Sequence, residues 1–137
     1  MNNKLMLSSS NGTFKFFSDN LYPDKMKHLE NTLSVAANGD NECFYSYQED
    51  NIIIYMFEDE QCKKKNVETA LRQLMNEFKN DIVSLNFCIK EEEKSINNDK
   101  NYPSYSGIIT TKYSYENGSD NGIIMTVITN STSSRVF

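Results

Sequence analysis

Apolar and polar positions change period several times along the chain. Residues 4–9 and 13–18 read as two strands around "SSNG", since Asn11 and Gly12 both tolerate the positive φ of a tight hairpin turn. "SDNLYPDKMKHLENTL" then shifts to helical spacing. Pro23 suits a first helical position, with Asn20 or Tyr22 near the cap, and Met26, Leu29 and Leu33 form one apolar stripe. Asn38-Gly39 closes that helix.

"ECFYSYQ" alternates. Phe44, Ser46 and Gln48 fall on one face, Cys43, Tyr45 and Tyr47 on the other. After the turn "QEDN" comes "IIIYMF", a continuous apolar run that predicts a central strand covered on both faces. Residues 44–61 would thus be the centre of a sheet, ended by the acidic "EDE" at 58–60. Over 66–83, Val67, Ala70, Leu71, Leu74, Phe78 and Ile82 recur at helical spacing, with Asn66 as N-cap. Residues 85–90 alternate and are read as a strand, a helix continuing to about residue 96 being the alternative. "NNDKNYP" is a linker. "GIITTKYSY" and "GIIMTVITN" around "ENGSDN" form a further hairpin, and "STSSRVF" a loose tail.

The order ββ-α-ββ-α-(β or α)-ββ predicts an α+β fold, an antiparallel sheet of about five or more strands with packing helices. A length of 137 residues fits one domain with a real core. No segment has the ~20 apolar residues of a membrane-spanning helix, and the first residues lack the apolar stretch of a signal peptide. Cys43, Cys62 and Cys88 are odd in number and widely spaced, which suits a reducing compartment; a soluble cytoplasmic protein is expected.

Candidate chemistry is sparse. The formal charge of −5 works against nucleic-acid binding. His28 is the only histidine, and nothing places a cysteine beside it as a nucleophile's base would be. "FEDEQ" and "KEEEK" lack the alternating ligands and turn glycine of a metal loop, and no glycine-rich phosphate cradle exists. The expectation is a protein that is not an enzyme, with no cofactor, no metal and no small-molecule substrate. "KKK" at 63–65 opposes the dipole of the helix it precedes. Lys63, Lys64 and Lys65 could meet an anionic membrane or an acidic partner, unless "EDE" just upstream neutralises them. The tyrosines of "FYSY" suit either an interface or any half-buried strand.

The stretch Glu42–Phe78 resembles the longin domain of synaptobrevin-type trafficking proteins. Ile52–Phe57 match the family's central strand, Lys64 and Lys65 its basic pair, and Leu71, Leu74 and Phe78 the buried face of its main helix. The chain departs from it at Cys62 and Lys63, where Phe-Pro is frequent, and at Val67 and Glu68, where a small-aromatic pair opens the helix. The resemblance implies a longin/profilin-like sandwich over residues 1–96, with 97–137 as linker and hairpin on the same domain. It also implies a SNARE-like interaction module of vesicle trafficking at the cytosolic face of endomembranes. Its partners would be a SNARE segment, a small GTPase or a tethering or coat subunit, bound in a groove including Met26, Leu29, Leu33 and Val35. The alternative is a structural subunit of a large assembly, docking by strand addition at the edge of "GIIMTVITN".

Overall fold

The computed structural model describes residues 3–96, 104–129 and 132–136. The elements are β1 (Asn3–Phe17), α1 (Pro23–Ala36), a 3-10 turn (Asn41–Cys43), β2 (Phe44–Glu49), β3 (Ile52–Asp59), α2 (Lys64–Glu77), β4 (Ile82–Ile96), β5 (Ser104–Glu116), β6 (Ile124–Ile128) and β7 (Thr132–Val136). One seven-stranded sheet results, in the order β2-β3-β1-β4-β5-β6-β7. Every neighbouring pair is antiparallel. β1 and β2 therefore run parallel with β3 between them, and β3 and β4 run parallel with β1 between them. This is the split βαβ arrangement, β-α-β-β-α-β, extended by three strands beyond β4.

Both helices lie on one face. Leu29, Leu33, Val67, Leu71 and Leu74 share a single core with Phe14, Phe16, Tyr55, Phe57, Leu85 and Phe87 of the sheet. The fold is α+β in two layers, sheet and helices. The helices brace each other through the ring of His28 on Phe78 (5.6 Å) and the 2.8 Å contact of His28 Nε2 with Glu77. Lys25 pairs with the buried Asp81 at 2.9 Å.

Several expectations are corrected. Residues 3–17 are one strand, not a hairpin. Gly12 lies mid-strand, flanked in register by Phe57 and Phe87, whose rings meet across it at 5.2 Å. A Cβ there would stand 2.4 Å from Phe87 Cδ2, so the glycine serves close packing rather than a turn. α2 begins earlier and ends at Glu77. Lys63, not Asn66, is its N-cap, and the Asn66 amide instead donates to the Asn38 side chain. Phe78 leaves the helix and Ile82 opens β4, both still buried. A bulge at Val83, between the pairs Lys15–Ser84 and Phe16–Ile82, keeps Ile82 on the helix side.

Residues 85–96 are strand. The tail forms β7 over 132–136, whereas the linker at 97–103 lies outside the described residues. The sheet's centre is not 44–61: β2 is an outer strand and β3 its inner neighbour, while β1 and β4 hold the middle. Ile54 is nevertheless buried on the face away from the helices, between Tyr47 and Lys15 of the adjacent strands. Cross-strand side chains, not a second helical layer, make "IIIYMF" apolar on both faces.

The turn at Asn38-Gly39 is as expected, with φ of 55° and 84°. The β2–β3 turn takes its positive φ at Asp50 (54°).

Candidate functional site

The most open surface is the sheet face without helices. Strand alternation sends Asn11, Thr13 and Lys15 of β1 to it, together with Ile54 and Met56 of β3, Asn86 and Cys88 of β4, and Lys112 and Ser114 of β5. Its middle is polar and concave. A shallow depression of about 570 Å³ is lined by Asn11, Thr13, Asn86, Cys88, Lys112 and Ser114, among others. Its flanks are apolar. Tyr45 and Tyr47 of β2 are 65% and 48% exposed there, as are Leu7, Ile108 and Ile124 at 41%, 46% and 37%. Only Tyr22 and Ile109 are exposed large apolar residues of the described chain lying off this face.

The groove expected on the first helix is closed. Leu29 and Leu33 are core residues at 0% and 2% exposure, and Met26 and Val35 pack half-buried against the same core. Their helical spacing marked the side that meets the sheet. The expected docking edge of β6 is also occupied: β7 pairs along its whole length, Ile124 with Val136 through Ile128 with Thr132.

Lys63 and Lys65 are exposed and Lys64 half-buried, with no acidic residue in the first turn of α2. None of the three pairs within 4 Å with a carboxylate whose side chain is described. The expected neutralisation by residues 58–60 is not formed as ion pairs.

The thiols are poorly set for nucleophilic work. Burial, then the carboxylates of Asp59 and Asp40, push the Cys43 thiol up to about 11. Its Sγ lies 3.6 Å from Asp40 Oδ2. Burial likewise raises Cys62. A thiolate is the reactive form, and both surroundings oppose it. His28 is an exposed helix residue engaged with Glu77, remote in sequence and contact from the cysteines. No group of three His, Cys, Asp or Glu among the described residues is placed to hold a metal ion. No helix of the described chain is long and apolar enough to cross a membrane.

No family model, no curated protein and no solved structure matches this chain. The class defined by the fold is therefore topological: an α+β protein with a split βαβ sheet, extended to seven strands and open on one face.

Proposed function

We propose that the chain is a non-catalytic protein-binding module that receives its partner on the uncovered sheet face. The observation carrying this reading is the distribution of exposed apolar side chains: Leu7, Tyr45, Tyr47, Ile108 and Ile124 all lie on that one face. Exposed aromatic and aliphatic side chains gathered on one face, rather than scattered singly, are a mark of a protein-binding surface. The reading rests on this face and not on the longin resemblance.

A nucleic-acid platform fits less well. Base stacking on such a sheet needs aromatic side chains on the inner strands, and Thr13, Lys15, Ile54 and Met56 stand there, in a chain of charge −5.

The test places a photo-crosslinking amino acid at Tyr47, at Ile124 and, on the outer side of α1, at Asn31. The expected result is the same protein adduct, identified by mass spectrometry, from positions on the face and none from Asn31. Adducts of equal yield at all three positions, or none on the face, would refute the assignment.

A further inference from the structure

Among the described residues β2 has one neighbour, β3, and nothing pairs with its other side. Its register with β3 is unbroken over six residues, Phe44–Glu49. A bare edge is commonly blunted by lysine, proline, a bulge or a covering element. β2 has no Lys, Pro or bulge, and all of its residues after Phe44 are exposed. The two-residue turn at Asp50–Asn51 makes Glu49–Ile52 the closing hydrogen-bonded pair. Alternation then directs the backbone N–H and C=O groups of Phe44, Ser46 and Gln48 outward.

Charge identifies what this edge would accept. Between Asp40 and Glu60 the chain has seven Asp and Glu and no Lys or Arg. Outside that segment 14 Lys and Arg stand against 12 Asp and Glu. The segment made of the hairpin and its immediate flanks therefore carries the whole excess negative charge of the protein. Pairing with the β2 of a second copy, a frequent fate of a bare edge, would bring two such hairpins together and is opposed by like charge. An extended cationic strand meets the opposite situation. Its side chains on the uncovered face would lie beside Tyr45 and Tyr47, whose rings favour Arg and Lys.

We infer that the free edge of β2 is a strand-addition site for an extended, Arg- and Lys-rich segment of a partner protein. This deepens the reading above by naming the partner's chemistry, and it rests on that reading.

The test uses the full chain and three capped nine-residue probes: alternating Arg and Val, alternating Glu and Val, and alternating Arg and Pro. The last keeps the charge and removes alternate N–H donors. Affinity is read by fluorescence anisotropy and location by amide hydrogen exchange. The Arg–Val probe is expected to bind at least tenfold more tightly than either other probe and to slow exchange over residues 44–49. Ser46→Pro removes an outward donor at an edge position that tolerates proline and should reduce that affinity at least tenfold.

If Ser46→Pro does not fold, the triple variant Glu42→Gln, Glu49→Gln, Asp50→Asn decides. It should weaken binding severalfold and flatten its salt dependence. Equal affinity for Arg–Val and Arg–Pro, protection elsewhere, or an unaffected variant would overturn the proposal. So would self-association that Ser46→Pro abolishes. A partner crosslinked from Ile124 but not from Tyr47 would sink the edge proposal while leaving the binding module standing; crosslinks from neither would remove both.

Discussion

Replacing Gly12 by alanine should destabilise the protein, although alanine is ordinarily the better strand residue. The new Cβ would lie 2.4 Å from Phe87 Cδ2, 3.1 Å from its Cε2 and 3.0 Å from the Asn86 carbonyl oxygen. Carbon–carbon contacts are most favourable near ~3.5–4.0 Å, so the overlap exceeds about 1 Å. The ring cannot easily withdraw. Phe87 is buried, with Phe57 at 5.2 Å and Phe14 at 5.8 Å. Asn86 is held in the β1–β4 ladder opposite Thr13.

Overpacking of this kind costs about 1–3 kcal/mol, while relief of glycine's backbone entropy returns roughly 0.5–1 kcal/mol. The net loss should be about 1–2 kcal/mol, read from urea unfolding followed by circular dichroism, with an unchanged m-value. The second half of the cycle isolates the cause. In a Phe87→Leu background, which as a large-to-small core change itself costs roughly 1–2 kcal/mol, the same Gly12→Ala change should become neutral or slightly stabilising. That corresponds to a coupling of about 1 kcal/mol or more. Equal effects of Gly12→Ala in both backgrounds, or stabilisation in the wild-type background, would show that Phe87 is not the constraint.

Three further outcomes follow from the core and the thiols. Leu29→Asp places a carboxylate at a site with 0% exposure and should cost about 4 kcal/mol or more, unfolding much of the population; native circular dichroism at 25 °C would contradict the burial of α1. The Tyr55 hydroxyl is buried with no hydrogen-bond partner among the described residues, so Tyr55→Phe should raise stability by about 1 kcal/mol in urea titration, and a loss would mean the hydroxyl is satisfied. The Cys43 thiol, moved from 9.0 to about 11, should react with iodoacetamide at pH 8 about a hundredfold more slowly than in the urea-unfolded chain. Because its folded value is raised, the thiol's contribution to stability is complete below pH 9 and is lost as pH climbs through 11. The native and unfolded alkylation rates should converge over that interval, and equal rates at pH 8 would contradict the surroundings assigned to Cys43.

Legibility in the sequence divides along a physical line. Features set by local chemistry were readable. Pro23 opens α1 and Asn38-Gly39 follows its end in the left-handed region. The alternation of Phe44 and Ser46 against Tyr45 and Tyr47 gives the observed faces of β2. The heptad-like recurrence of Val67, Leu71 and Leu74 marks the buried side of α2. Features set by partners distant in sequence were not. Asn11-Gly12 has the composition of a turn, and only the arrival of Phe87, 75 positions later, makes Gly12 a mid-strand necessity.

The same argument applies to the groove expected on α1. A stripe such as Met26, Leu29, Leu33 shows that one side of a helix must leave water. It does not show whether a partner or the chain's own sheet receives it, and here the sheet does. The converse signal was present in β2. Tyrosines alternating with polar residues on a strand without basic residues mark a half-exposed strand, but edge and centre differ only in whether a second neighbour pairs. That neighbour is a matter of strand order. β3 and β1 share eight register pairs from Ser10–Asp59 to Phe17–Ile52, and this pairing puts β1 on the inner side of β3 and leaves β2 outermost. The negative charge of residues 40–60, legible in the sequence, acquires a place only once that order is known: Glu49 stands on β2 and Asp40, Glu42 and Asp50 just beyond its ends, on the strand whose far side has no pairing neighbour among the described residues.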